Sequence, residues 1–200
     1  MSDAREARHS TRMARKKAVV DAAIARATES RGLVLVLTGN GKGKSSSAFG
    51  MLARALGHGM KVAVFQFIKG SGGTGEEAYF RRDPNVRWEE CGEGFTWETQ
   101  DRARDIAAAS AGWAKACEAL ADPGIGLVVL DEMTYVCQYG YLDLAEVLPV
   151  LAARPKMQHV VITGRGAPQA LIDIADTVSD IADIKHAFRA GVTAQPGIDS

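Results

Sequence analysis

This sequence of 200 residues has only three cysteines, a formal net charge of zero and no long apolar run. No apolar run approaches the ~20 residues that a helix needs to cross a bilayer, so we expect no membrane partner. Lysine and arginine together number 24, as do aspartate and glutamate, and this balance gives no field that favours nucleic acid as a partner. The three cysteines are an odd number without metal-site spacing. With no secretory pattern near the N-terminus, they predict reduced thiols in a cytoplasmic protein.

The length suits one α/β domain preceded by a basic arm. Residues 1–31 combine a start rich in arginine and lysine with an alanine-rich stretch from Ala14 to Ala27, which predicts a helix with a weak apolar face. This arm is either a solvated extension or a segment that packs on a partner subunit or covers the active site. Residues 32–200 are predicted to form the α/β domain.

One stretch has the features of a phosphate-binding loop. Residues 33–37 are consecutive apolar residues, typical of a parallel strand that is buried on both faces. Three glycines follow, Gly39, Gly41 and Gly43. They allow positive φ angles and a close approach of the backbone to a ligand. A helix is predicted from near Lys44, so backbone N–H groups would cradle phosphate oxygens while Lys44 and the Ser45 hydroxyl reach phosphate and Mg²⁺.

The spacing of this loop differs from the usual G-x-x-x-x-G-K-[ST] pattern. Gly39 lies only four positions before Gly43, and Thr38 stands where the first glycine is expected. Lys42 adds a second positive charge inside the loop. A cradle of altered length need not hold a triphosphate in the usual orientation. The alternative is a glycine-rich turn with incidental lysines, but the order of strand, glycines, Lys-Ser and helix favours the phosphate loop.

A second pattern resembles a Walker B strand. The apolar residues 127–130 are followed directly by Asp131 and Glu132. An acidic residue at the end of such a strand can hold Mg²⁺ directly or through water, opposite the Ser45 hydroxyl. Because the phosphate loop is present, we interpret both carboxylates as site residues rather than as an ordinary strand end.

Further candidates follow other predicted elements. Strands are predicted at residues 61–68 and 159–163, and ligands of such sheets gather beyond the carboxyl ends of the strands. Lys69 and Arg165 follow these strands, and each is either a site residue or an ordinary turn residue. Phe95 and Trp97 stand beside glycines in a predicted loop. They either close the domain edge or form an apolar wall for a planar ligand.

These patterns predict a three-layer α/β/α domain of the P-loop NTPase type, RecA-like, with a mostly parallel sheet of about six strands. A GTPase would need a guanine-reading N/T-K-x-D segment, and none follows the relevant strands. The residues alone therefore predict an Mg·ATP-binding enzyme with an unidentified acceptor. A P-loop ATPase that acts as a nucleic-acid or protein motor or switch is the alternative.

Six strings along the chain resemble one family. They are TGNGKGKS at 38–45, QFIKG at 66–70, GFTWET at 94–99, VLDEMTY at 129–135, ITGRG at 162–166 and KHAF at 185–188. Their order resembles the ATP:corrinoid adenosyltransferase family of cobalamin biosynthesis and salvage, from about Arg31 to the C-terminal tail. Ser45 replaces the threonine that is usual in the family, and either hydroxyl can bind a metal. Met133 replaces the common leucine.

The resemblance implies transfer of the 5′-deoxyadenosyl group of ATP to the Co(I) of a reduced corrinoid, either cobalamin or cobyrinic acid a,c-diamide, with release of triphosphate. Lys42, Lys44 and Mg²⁺ (or Mn²⁺) would then stabilise the leaving group. Phe95 and Trp97 would pack on the corrin and displace its lower axial ligand. A flavoprotein reductant and a homodimer whose N-terminal helix can cover the substrate site are also expected from the family.

The predicted site therefore comprises three sets of residues. The catalytic set is Lys42, Lys44 and Glu132. The set that binds ATP and the corrinoid is Gly39, Asn40, Gly41, Lys42, Gly43, Lys44, Ser45, Ser46, Arg54, Phe95, Trp97 and Arg165. The metal ligands are Ser45, Asp131 and Glu132.

Overall fold

The computed structural model describes residues 2–68, 73–92 and 101–198, and the chain divides into two compact units, residues 1–31 and 32–200. The first unit consists mainly of helix α1 (Ser2–Arg26). This confirms the predicted helix in the alanine-rich stretch, and the helix also includes the basic residues before it. Alanine, arginine, glutamate, lysine and methionine all favour helix, and no glycine or proline interrupts residues 2–26.

The second unit contains one sheet in which the six strands of the described residues are all parallel, in the order β3-β2-β4-β5-β1-β6. The strands are β1 (Val34–Thr38), β2 (Lys61–Gln66), β3 (Val86–Glu90), β4 (Ile125–Asp131), β5 (His159–Thr163) and β6 (Thr177–Asp180). This confirms the predicted parallel sheet of six strands. One strand, β5, separates the strand before the glycine loop from the strand that ends at Asp131.

Helices connect these strands. They are α2 (Lys44–Gly57), α3 (Gly75–Phe80), α4 (Arg102–Ala121), α5 (Met133–Gln138), α6 (Leu144–Ala153) and α7 (Gln169–Ile174), with a 3-10 helix at Ala187–Ala190. The sequence did not predict α3 or α5. Helix α6 continues through Pro149, which lies on the exposed side together with Ala145. The Ala145 carbonyl, which loses its helical donor at the proline, is therefore accessible to water.

The two faces of the sheet pack against different helices. On one face, Phe49 and Leu52 of α2 pack with strand residues such as Val64. On the other face, Trp113 of α4 and Leu151 of α6 pack with the alternate strand residues. The strands are apolar on both sides because each lies between two helical layers. This arrangement confirms the three-layer α/β/α prediction. Within the described ranges, no helix is both long and apolar enough to cross a membrane.

A buried amide ties the end of α4 to the start of β4. Gln158 is 2% exposed, and its Nε2 donates hydrogen bonds to the carbonyl oxygens of Ala119 (2.9 Å), Asp122 (3.1 Å) and Ile125 (3.1 Å). These carbonyls belong to the last turn of α4, to its C-cap and to the first residue of β4, and those of Ala119 and Asp122 also accept long backbone hydrogen bonds of 3.3 and 3.2 Å. The side chain thus holds the approach to the strand that ends at the predicted carboxylates.

We expect Gln158→Leu to lower the free energy of unfolding by about 1 to 2 kcal/mol, because three carbonyls lose the side-chain donor that they share. Urea denaturation would measure the change. Gln169→Leu is the matched control, since Gln169 is exposed and hydrogen-bonds only locally to Asp173, and we expect a change within about 0.5 kcal/mol. Equal effects of the two substitutions would contradict the role assigned to Gln158.

Candidate active site

A cleft of about 750 Å³ lies at the carboxyl edge of the sheet, where β1 and β4 end. It is lined by the loop between β1 and α2, by α3, by the residues after β4 and β5, and by the tail. Its lining from the loop comprises Asn40, Gly41, Lys42, Gly43, Lys44, Ser45 and Ser46. Glu132 and Arg165 lie in the same cleft, so the structure brings together most of the predicted site.

The glycine loop packs directly on the chain that follows β6. A Cβ on Gly39 would lie 2.1 Å from Asp180 Oδ1, and a Cβ on Gly41 would lie 2.4 Å from the Ala182 carbonyl oxygen. The Gly41 N–H also donates to the Ile181 carbonyl at 2.7 Å. Side chains at these two positions would displace the loop. Packing alone therefore requires glycine at both, whether or not a ligand is bound.

Thr38, which stands in place of the first expected glycine, has a structural use. It is the last residue of β1 and is 8% exposed. Its Oγ1 accepts a hydrogen bond from Ala167 N at 3.2 Å. The hydroxyl therefore ties the glycine loop to the turn after β5. The loop pattern showed that Thr38 replaces an expected glycine. It could not predict this contact, because Ala167 lies 129 residues away in the sequence.

Positive charge and helix geometry converge on the loop. Gly43, with φ 118°, precedes the 14-residue helix α2, whose first turn carries no acidic residue and presents backbone N–H groups to the cleft. Lys44 Nζ donates to the Gly41 carbonyl at 2.7 Å and thereby closes the loop. Burial and the nearby Arg165 lower the pKa of Lys44, and Glu132 offsets part of this shift. An anion bound in the cleft would raise that pKa again.

The two adjacent carboxylates have different environments. Asp131 is fully buried, and its two oxygens accept hydrogen bonds from Gln66 Nε2 (3.0 Å) and Thr163 Oγ1 (2.7 Å). Glu132 instead lines the cleft. Its backbone has φ 58°, and among the described residues it alone has a positive φ without being glycine. The sequence predicted both carboxylates as metal ligands and only Glu132 as catalytic, and in the structure only Glu132 lines the cleft.

Arg165 reaches the cleft from a tight turn after β5. Gly164 has φ 134°, and a Cβ there would lie 2.0 Å from Thr134 Oγ1. The same Thr134 hydroxyl donates to the Arg165 carbonyl at 2.8 Å. The turn therefore packs on α5 and presents the Arg165 side chain beside Tyr135, whose pKa is raised mainly by burial.

Several lining residues were not predicted. Helix α3 contributes Tyr79 and Phe80, and its N-cap Thr74 accepts from Glu77 N at 3.2 Å. The Thr-x-x-Glu spacing is a capping signal that could have revealed this helix. Tyr135 lies one helical turn after Glu132 and shares its face. His186 enters from the tail; it belongs to the string KHAF that resembles the family, but it was not assigned to the site.

Other predicted site residues lie elsewhere. Arg54 is exposed in the last turn of α2 and does not line the cleft. Asp131 is behind the cleft surface rather than in it. Lys69, Phe95 and Trp97 lie outside the described residues.

The donor atoms of the cleft suit a small hard cation. Ser45 contributes a hydroxyl and Glu132 a carboxylate to the same cleft. Mg²⁺ prefers oxygen ligands and is commonly bound through one or two protein groups together with substrate phosphates and water. The residues present therefore fit Mg²⁺ that arrives with a nucleotide.

Comparisons with known proteins agree over nearly the whole chain. The family model described as ATP:corrinoid adenosyltransferase BtuR/CobO/CobP matches residues 30–200. A second family model, described as the N-terminal part of cob(I)alamin adenosyltransferase, matches residues 1–24.

Full-length relatives carry the same description. The corrinoid adenosyltransferase of Pseudomonas aeruginosa is 61% identical over 199 residues, which are 99% of this chain and 98% of the relative. The corrinoid adenosyltransferase CobA of Salmonella typhimurium is 51% identical over 193 residues, which are 96% of this chain and 97% of the relative. The Escherichia coli corrinoid adenosyltransferase is 48% identical with the same coverage.

The packing of the loop gives a direct test of the cleft. We expect Gly41→Ala to weaken ATP binding at least about tenfold, equivalent to about 1.4 kcal/mol, because the added Cβ displaces the loop from the Ala182 carbonyl. Isothermal titration calorimetry would measure the dissociation constant.

Gly50→Ala is the matched control for this substitution. Gly50 lies within α2, where an added Cβ meets no heavy atom within 4 Å. We expect unchanged ATP affinity and a gain in stability of about 0.5 to 1 kcal/mol. Wild-type ATP affinity in the Gly41→Ala variant would show that the loop does not bind the nucleotide in this conformation.

Proposed function

The chain belongs to the ATP:corrinoid adenosyltransferase family, and from this premise we propose that it transfers the 5′-deoxyadenosyl group of ATP to the Co(I) of a reduced corrinoid and releases triphosphate. The observation that carries the proposal is the shared cleft, in which the glycine loop, Glu132 and Arg165 face one another. A polyanionic nucleotide is the ligand that this combination of backbone N–H groups and cations favours.

The proposed reaction is a displacement at the ribose C5′ carbon. The cobalt electron pair forms the new Co–C bond, and the C5′–O bond breaks with its electron pair leaving on triphosphate. Co(I) is a strong nucleophile, so no side chain is needed as a general base. The protein must instead hold the two substrates in line and stabilise the charge that develops on the leaving group.

The loop has the groups for that task. Lys42 and Lys44 both line the cleft, and the N-terminus of α2 adds backbone donors. Arg165 brings a third positive side chain to the same space. We propose that these groups bind the triphosphate and that the altered loop spacing suits a departing triphosphate rather than transfer of its terminal phosphoryl group.

We propose that Ser45 and Glu132 hold the metal ion, with Mg²⁺ or Mn²⁺ as the cation. When bound, the ion would neutralise charge on the phosphate oxygens. The support is the placement of both oxygen ligands in the cleft.

The corrinoid half of the site rests on the family resemblance. We propose that Phe95 and Trp97 pack on the corrin and displace its lower axial ligand, which would ease reduction of Co(II). A role for Arg54 in binding stays a prediction, as does the choice between cobalamin and cobyrinic acid a,c-diamide.

The same resemblance supports a flavoprotein reductant and a homodimer. The separate family match over residues 1–24 supports a role for the N-terminal arm in this family, either against a partner subunit or over the substrate site. A cytoplasmic location is proposed because the three cysteines are free thiols.

Product analysis tests the proposal. Under anaerobic conditions with Mg·ATP and a chemically reduced corrinoid, we expect a light-sensitive cobalt–carbon adduct and an equal amount of triphosphate. Absorption spectra would follow the adduct, and phosphorus NMR would identify the phosphate product. Parallel incubations without corrinoid, with and without DNA or RNA, are the controls. ADP and phosphate without the adduct would contradict the proposal and favour a P-loop ATPase.

A further inference from the structure

A row of buried polar side chains crosses the sheet behind the cleft. It passes through four neighbouring strands, from Trp88 on β3 to Gln66 on β2, Asp131 on β4 and Thr163 on β5. Trp88 Nε1 donates to Gln66 Oε1 at 3.1 Å, Gln66 Nε2 donates to Asp131 Oδ2 at 3.0 Å, and Thr163 Oγ1 donates to Asp131 Oδ1 at 2.7 Å. We call these four residues the polar row.

Chemistry fixes the direction of every hydrogen bond in the polar row. The indole N–H of Trp88 can only donate, so Gln66 must turn its oxygen towards Trp88 and its NH₂ towards Asp131. The Asp131 carboxylate accepts on both sides. Thr163 has one hydroxyl proton, which it gives to Asp131, so its lone pairs are left to accept. They accept the backbone N–H of Glu132 at 2.9 Å.

The polar row therefore ends on the backbone of the residue that faces the ligand. Glu132 has left-handed backbone angles, φ 58° and ψ 19°, which a side chain other than glycine adopts at a cost. The hydrogen bond from its N–H to Thr163 holds that conformation. Asp131 does not line the cleft, whereas Glu132 does.

We propose that Asp131 is a positioning residue rather than a metal ligand, and that the polar row fixes Glu132 in the orientation that receives the metal of Mg·ATP. The inference rests on the proposed role of Ser45 and Glu132 at the metal. It gives the adjacent carboxylates different tasks, since Glu132 contacts the ion and Asp131 orients the Thr163 hydroxyl. It also makes Gln66 and Thr163 part of the machinery for ATP binding, although neither lines the cleft.

The readout is the dissociation constant of ATP by calorimetry, measured once in excess Mg²⁺ and once in EDTA. We call the ratio of the EDTA value to the Mg²⁺ value the magnesium gain. A substitution that merely loosens the fold would weaken ATP binding by the same factor in Mg²⁺ and in EDTA, and it would leave the ratio unchanged. A substitution that misplaces Glu132 would lower the ratio while the affinity in EDTA stays near that of the wild type.

Thr163→Val and Thr163→Ser form the first pair of variants. Valine keeps the shape and the net charge but removes the hydroxyl, and serine keeps the hydroxyl. We expect Thr163→Val to lower the magnesium gain about fivefold to tenfold, as for loss of one buried hydrogen bond. We expect Thr163→Ser to stay within about twofold of the wild type. An unchanged magnesium gain in Thr163→Val would overturn the inference.

A double substitution that moves the carboxylate from position 131 to position 66 distinguishes a positioning role of Asp131 from direct binding of the metal. In Asp131→Asn the new amide either turns its NH₂ towards the NH₂ of Gln66, which Trp88 fixes, or donates to the Thr163 hydroxyl, whose own proton then loses its acceptor in the polar row. Adding Gln66→Glu restores an acceptor between Trp88 and the new amide. We therefore expect Asp131→Asn alone to lower the magnesium gain and the double variant Gln66→Glu/Asp131→Asn to recover it to within about twofold of the wild type.

The possible outcomes are distinguishable. If Asp131 binds the metal directly, the magnesium gain of the double variant stays as low as that of Asp131→Asn, because the carboxylate has moved to position 66 on β2. That result would show that the inference is wrong. If the wild type itself has no magnesium gain, the proposed metal site fails and the inference fails with it. Thermal unfolding of each variant verifies folding, and the Thr163 pair decides the question should Asp131→Asn fail to fold.

Discussion

The contact between the glycine loop and the chain after β6 fixes the loop on which the phosphate-binding side of the cleft depends. Gly39 and Gly41 approach the main chain of Ile181 and Ala182 so closely that no side chain fits between them. This contact ties the start of α2 to the edge of the sheet. Lys44 and Ser45 follow within the same turn, so their positions depend on the loop rather than on their own packing.

The sheet supplies the opposite wall of the cleft. The parallel strands end at one edge, which brings Glu132 from β4 and Arg165 from β5 to the loop that leaves β1. Cations and the α2 N-terminus surround the space for an anion, and the carboxylate of Glu132, the proposed metal ligand, lies in the same cleft. Behind this surface, the polar row is buried between the helical layers. A buried network with fixed hydrogen-bond directions holds geometry better than exposed charges, whose interactions water screens.

Local patterns were sufficient for much of this arrangement. The buried strand, three glycines and Lys-Ser of the loop follow one another directly, as do the apolar run and carboxylates of β4, so sequence spacing alone placed Lys44 and Glu132 at one site. Features that depend on distant partners were not predictable. The Thr38 contact joins residues 129 positions apart, and the burial of Asp131 depends on Gln66 and Thr163 from two other strands.

Two short helices that line the cleft were also not predicted from the sequence. Helix α3 has six residues, too few for a hydrophobic period to be recognised, although its Thr74 cap was visible. Helix α5 begins after the left-handed Glu132, and glutamate does not normally indicate such a turn. His186 reaches the cleft only because the tail returns past the loop.

The central claim is that the cleft serves a departing triphosphate. ATP that carries a heavy oxygen isotope at the bridge between C5′ and the α-phosphorus tests it directly. Attack at C5′ breaks the bond between carbon and that oxygen, so mass spectrometry should find the label in released triphosphate during transfer to the reduced corrinoid. Label that remains with ADP or with free adenosine would mean that the bond breaks at phosphorus, and the account of the cleft would be wrong.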